Sequence, residues 1–248
     1  LITLIMTLLN VRLGWWLGNP VREKADLDGP HSAIKWIAAE AFGLTTDDKD
    51  FIYVSDGGHF ENLGLYEMVR RRCRYIIVSD GGCDPTCALE DLGNAVRKIE
   101  IDLGVRITFQ DLQKLKPRLS VEEAQAGKFQ DDQKCWCIGR IGYKEADYKD
   151  GDGDADADGY ILYIKPSFRG VESAGVRAYA LTHADFPHEP TSDQWFSESQ
   201  FESYRKLGFD IAEELLRTGQ QGAKMKAVRD RGPNAVPTVA DFFEALSV

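Results

Sequence analysis

The chain has 248 residues, 43% of them apolar and 28% charged, a balance that supports a folded core and excludes a disordered or low-complexity protein. A formal net charge of −10 argues against a broadly basic surface, so no nucleic-acid partner is expected. The five cysteines fall in no zinc-finger spacing, and they read as the thiols of a cytoplasmic protein.

The opening stretch LITLIMTLLN has no basic leader or cleavage site and is too short to span a bilayer. It predicts a buried helix and its exit over 1–17, closed by Gly18, Asn19 and Pro20. The alternative is a surface segment touching lipid, because Trp15, Trp16 and Leu17 follow directly. Ser32 then caps a short helix over 33–42 that Gly43 ends.

A strand over 51–55 runs into Asp56-Gly57-Gly58-His59-Phe60-Glu61-Asn62-Leu63-Gly64. A helix starting at Glu61 or Asn62 reaches Arg70, Arg71 and Arg72, whose charge suits a helix C-terminus. The next strand, 75–79, ends in a second Asp-Gly-Gly at Asp80. This predicts a β-α-β crossover between parallel strands, with a carboxylate at the sheet edge where α/β ligand sites lie. A helix capped by Thr86 follows from near Cys87, with Leu89, Leu92, Val96, Ile99 and Leu103 along one face. Gly104 closes it before a strand over 105–109.

The second part predicts an antiparallel hairpin of strands 135–143 and 160–165, joined by an acidic loop. A helix over 173–182 follows. A longer helix begins at Ser192 or Asp193, with Trp195, Phe196, Phe201, Tyr204 and Leu207 as its apolar face and an interruption at Gly208. Residues 219–237 read as mobile, and Thr238 caps a last helix over 238–246.

Asp56 organises this chain. A carboxylate at a strand end, followed by two glycines, is held firmly yet open to close approach. It can take a proton from a hydroxyl nucleophile, cap its own turn, or ligate a metal; spacing alone leaves all three open.

The run Asp-Gly-Gly-His-Phe-Glu-Asn-Leu-Gly-Leu, its arginine-ended helix and the strand at 76–79 resemble the aspartate region of patatin-like phospholipases, a bacterial-type branch. They are also similar to the matching region of the cytosolic phospholipase A2 catalytic domain. The resemblance implies a three-layer α/β fold with a mainly parallel central sheet, here only its C-terminal portion. It divides the chain into catalytic-domain sequence over 1–110 and, over 111–248, a hairpin and helical extension packing on the same domain. It implies a serine–aspartate dyad that needs no cofactor, acting on phospholipid or another lipid ester, with peripheral membrane contact. On that resemblance Asp56 is the dyad acid and Gly57, Gly58 and His59 line its cleft; Trp15 and Trp16 border an acyl channel or, on the plain reading, belong to the core.

The family's glycine-rich oxyanion loop and Gly-x-Ser-Gly elbow have no counterpart here. Ser32, Ser120 and Ser167 lack flanking glycines, Ser55 and Ser79 sit in strand ends, and Ser173 follows Glu172. The expectation is the C-terminal segment of a longer enzyme, inactive without its upstream serine and dependent on that missing N-terminal part. A catalytically inactive scaffold or lipid-binding protein is the alternative.

The acidic loop gives a further expectation. Counted from Asp154, aspartates fall at the first, third and fifth places (Asp154, Asp156, Asp158), followed by Gly159 and the carbonyl of Tyr160, as in a calcium loop. Lys165 stands where the bidentate glutamate belongs, so a solvated hairpin loop competes with calcium. Asp80 reads as a structural or rim residue. His183 and His188 read as hydrogen-bonding side chains rather than metal ligands.

Overall fold

In the computed structural model, residues 14–22, 26–32, 34–147, 158–190, 192–230 and 236–246 are described. They fall into two compact units, Leu1–Asn62 and Leu63–Val248.

In the first unit, β1 (Trp15–Gly18) pairs antiparallel with β2 (Phe51–Val54), in register Trp15 to Val54 and Gly18 to Phe51. Alternation along the ribbon turns Trp16, Tyr53 and Phe51 to one face. There Trp16 packs on Trp36 of α1 (Ile34–Ala41) at 5.2 Å and on Tyr53 at 5.3 Å, and Trp36 meets Phe51 at 5.4 Å. Asn19, buried at the ribbon's end, donates through Nδ2 to the carbonyls of Asp47 and Lys49, both at 2.8 Å. Gly43 takes a left-handed φ of 66° after α1, as its C-terminal position required. The helix expected over 1–17 lies outside the described residues as far as 13; residues 15–18 are strand.

The second unit is built on a four-stranded sheet in the order β3-β6-β5-β4. Its first helix is α2 (Leu65–Arg70), followed by β3 (Tyr75–Ser79), α3 (Glu90–Leu103) and β4 (Arg106–Gln110). Then come α4 (Val121–Gln125), β5 (Trp136–Gly142), α5 (Tyr143–Asp147) and β6 (Gly159–Ile164). The helices α6 (Ala174–Thr182), α7 (Glu198–Gln221), α8 (Ala223–Asp230) and α9 (Val239–Leu246) complete it.

The α/β class is as expected, but the sheet is mixed rather than mainly parallel. Only β3 and β6 run parallel; β6–β5 and β5–β4 are antiparallel. The β-α-β crossover is also corrected. β2 pairs with β1 in a two-stranded sheet, whereas β3 lies in the four-stranded one beside β6. The predicted 135–165 hairpin is present as β5 and β6.

Helices cover both faces of this sheet. Cys137, Ile141, Ile161 and Tyr163 face α2 and α3 through Leu65, Val69, Leu92, Ala95 and Ile99. Trp136, Ile138 and Leu162 face Leu215, Phe243 and Leu246. A third cluster joins α4, α6 and α7 around Phe168, Phe186, Leu207 and Ile211.

Three helix starts shift from expectation, and α2 begins at Leu65, behind a left-handed Gly64, rather than at Glu61 or Asn62. α7 begins at Glu198, not near Ser192, because Ser197 and Gln200 form a reciprocal capping box. Trp195 and Phe196 therefore precede it and Phe201 is exposed; the buried stripe is Gln200, Ser203, Leu207, Ile211, Leu215 and Gly219. Gly208 does not interrupt α7, which continues to Gln221 before α8 follows. α3 begins at Glu90, after Asp84 has accepted the amides of Ala88 and Leu89 at 2.8 Å each. The last helix has its cap as expected: Thr238 Oγ1 accepts the Asp241 amide at 3.2 Å. The C-terminus of α6 is closed by Arg118. Its guanidinium donates to the carbonyls of Ala180, His183, Ala184 and Phe186 and lies over the Phe168 ring.

Candidate functional site

Asp56 lies two residues beyond β2 and caps a single 3₁₀ turn, Gly57–His59. Its Oδ1 accepts the Gly58 amide at 2.9 Å, and the Asp56 carbonyl accepts the His59 amide at 3.2 Å. A Cβ on residue 58 would lie 2.6 Å from Asn62 Oδ1 and 3.4 Å from Asp56 Oδ1, so a larger residue there would displace the Asn62 side chain. Asp56 is exposed, as are Gly57, Gly58 and His59. Ser55 Oγ and His59 Nδ1 stand 3.4 Å apart beside it. The structure thus brings Asp56, Gly57, Gly58 and His59 into one open turn. Capping accounts for one carboxylate oxygen; among the described residues Oδ2 has no hydrogen-bond partner.

The two tryptophans separate. Trp15 is 67% exposed, with Nε1 donating to the Asp28 carbonyl at 3.1 Å. It shares its ribbon face with Leu17 and Val54, both also exposed. Trp16 points the other way and helps line a mostly apolar cavity of about 600 Å³ with Trp36, Phe42, Leu44 and Phe51.

The second Asp-Gly-Gly is not a rim feature. Asp80 is 2% exposed and Lys165 is 3% exposed. Asp80 accepts from Tyr163 Oη at 2.5 Å, Lys165 Nζ at 3.0 Å and the Gly82 amide at 2.9 Å. Lys165 Nζ also donates to the Gly82 carbonyl at 2.9 Å. Burial, then the Asp80 hydrogen bond, push the Tyr163 phenol well above its ordinary value, so it remains a donor.

Sheet register explains this cluster. β3 and β6 are parallel with Ser79 opposite Ile164, so the next residues, Asp80 and Lys165, meet. Tyr163 and Lys165, two apart, share a face. The signal available in the sequence was a lone lysine closing the apolar run Tyr160-Ile161-Leu162-Tyr163-Ile164. His188, 4% exposed, closes the turn's other side.

The remaining expectations resolve as follows. Asp154 and Asp156 lie outside the described residues. Asp158 is held by the Arg140 guanidinium, with Nε at 2.8 Å, and accepts the Lys144 amide at 3.3 Å. Tyr160 is in β6, its ring stacked on Tyr75. No group of three metal-capable side chains occurs among the described residues. The His183 ring stacks on Tyr179 at 3.8 Å. Arg70 and Arg71 both bind Glu67 at 2.7 Å, holding its carboxyl down to about 2, while Arg72 pairs with Asp147 at 2.5 Å. All five cysteines are free thiols. Among the described residues, no helix is long and apolar enough to cross a membrane.

Comparison with known proteins returned no matching family model, no matching curated protein and no matching solved structure.

Proposed function

We propose that this chain supplies the aspartate of a serine–aspartate dyad lipid acyl hydrolase with a patatin-like fold, Asp56, to a serine and oxyanion loop carried outside these 248 residues. The observation that carries the reading is the Asp56 turn. One carboxylate oxygen is fixed by the Gly58 amide at 2.9 Å, and the carboxylate is exposed at a strand end. A base needs that combination of fixed orientation and open access.

In this mechanism the serine hydroxyl gives its proton to Asp56 as its oxygen attacks the ester carbonyl. The tetrahedral oxyanion is held by backbone amides of the oxyanion loop. Asp56 returns the proton to the departing alcohol, leaving an acyl-serine. Water then adds to that acyl group, giving its proton to Asp56, which passes it to the serine oxygen as the fatty acid leaves. No cofactor enters these steps. His59 and Gly57 border the entering ester. Exposed Trp15, Leu17 and Val54 form an edge suited to lipid, and the cavity beside Trp16 is within the size range of small-molecule sites.

Labelling with an alkyl fluorophosphonate tests this reading, because the reagent reports an activated serine. The longer protein is expected to label stoichiometrically and Asp56→Asn to label poorly; the 248-residue chain by itself should not label. Equal labelling of the longer protein and Asp56→Asn would overturn the proposal and leave the scaffold or lipid-binding reading in front.

A further inference from the structure

The turn after β3 is tied down by a residue the acyl chemistry does not use. His188 reaches it through both main chain and ring. Its carbonyl accepts the Cys83 thiol at 2.9 Å, and its Nδ1 accepts the Asp84 amide at 3.4 Å. Accepting at Nδ1 leaves the proton on Nε2, which defines a neutral imidazole. The His188 amide closes on the Asp185 carbonyl at 2.6 Å, so residue 188 is itself anchored.

The charged groups around this ring are accounted for. From the end of β6 comes Lys165, whose ammonium is committed to Asp80 and the Gly82 carbonyl. From the turn come Asp80, already holding Tyr163 and Lys165, and Asp84, whose two oxygens accept the amides of Ala88 and Leu89. Cys83 and Cys87 are the thiols of the same loop. On its own segment, Asp185 lies in the preceding turn. Glu189 is taken by Tyr179 Oη at 3.0 Å and Gln200 Nε2 at 2.9 Å. Asp80, Asp84 and Glu189 therefore already hold partners, Asp185 is exposed, the Asp91 carboxylate of α3 stands beside Gly82, and a second cation would enter beside Lys165.

We propose that His188 is a pH-sensitive latch on the 80–84 turn. Neutral, its Nδ1 holds the Asp84 amide against the 185–189 segment. Protonated, it loses its Nδ1 acceptor, stands against the Lys165 ammonium, and lets the turn open. Burial first and Lys165 second hold its imidazole below the ordinary histidine value, against the opposing pull of Gly82, Asp84 and Asp80. The unfolded chain therefore takes up the proton first. The latch is fully closed above about pH 6.5 and is lost as pH falls from there through the lower folded value. The inference is independent of the acyl hydrolase reading.

Hydrogen exchange of the 248-residue chain between pH 7.5 and 5, corrected for intrinsic amide rates, tests this directly. Peptides spanning 80–90 are expected to lose at least about tenfold in protection below pH 6.5, the size of one pH unit of linkage, while β5 keeps its protection. His188→Gln retains an acceptor and a donor but does not titrate, and should make the turn's protection independent of pH. Wild-type protection that stays constant over 80–90, or falls equally in β5, would overturn the latch. An equal fall in His188→Gln would do the same. Should that variant not fold, the wild-type contrast between turn and β5 decides.

Discussion

Replacing Lys165 by methionine would leave Asp80 as a buried carboxylate facing only two neutral donors, Tyr163 Oη and the Gly82 amide. With both partners of the ion pair 2–3% exposed, water cannot compensate. Breaking such a pair from one side costs about 3–5 kcal/mol, which for a unit of this size lowers Tm by roughly 10 °C. In the double variant Asp80→Asn/Lys165→Met, the amide oxygen can still accept the Gly82 amide and the amide nitrogen can donate to Tyr163 Oη, with no charge buried. It should recover about 2 kcal/mol of the loss. Urea unfolding followed by circular dichroism measures both, and hydrogen exchange in β5 confines the readout to the larger unit. Lys165→Met within about 1 kcal/mol of wild type, or a double variant less stable than Lys165→Met, would refute this account of the cluster.

Tyr163→Phe removes one buried donor from Asp80 and should destabilise by about 1–3 kcal/mol in the same assay. Arg118→Ala strips the C-terminus of α6 of its four carbonyl contacts, and a loss of about 2–4 kcal/mol is expected from urea midpoints at unchanged m-value. Burial pushes the Cys135 and Cys137 thiols up to about 11 and about 12. Iodoacetamide at pH 8 should therefore modify exposed Cys83 in the native chain and reach Cys135 and Cys137 only after denaturation, as mass mapping would show. Gly58→Ala moves the Asn62 side chain and leaves Asp56 at ordinary contact, so the longer protein should keep ester hydrolysis within about threefold of wild type, as a p-nitrophenyl ester assay would show.

Much of the larger unit was readable because its signals are local. α3 shows Leu92, Ala95 and Ile99 at helical spacing, and Gly104 stops it with a φ of 66°. β5 and β6 are apolar runs on either side of a polar loop. Pairing was less readable, because a strand's partner lies elsewhere in the sequence. Trp15–Gly18 is only four residues long and follows an apolar run, so it looked like the end of a helix; once it pairs with β2, the crossover to β3 disappears. Competing caps misled in the same way. Asp193 can start a helix, but here it accepts Gln200 Nε2 at 2.8 Å while Ser197 takes the cap. The open turn at Asp56 was visible in its two glycines and strand-end position. The Asp80–Lys165 pair was not, because it joins residues 85 apart and exists only through the β3–β6 register.

The most direct test of the proposed chemistry is hydrolysis of p-nitrophenyl butyrate and of a phospholipid by the longer protein carrying Asp56→Asn. The dyad account predicts that kcat falls at least about a hundredfold while KM and Tm stay close to wild type, because a base acting in the transition state has been removed. A kcat within about threefold of wild type would contradict it.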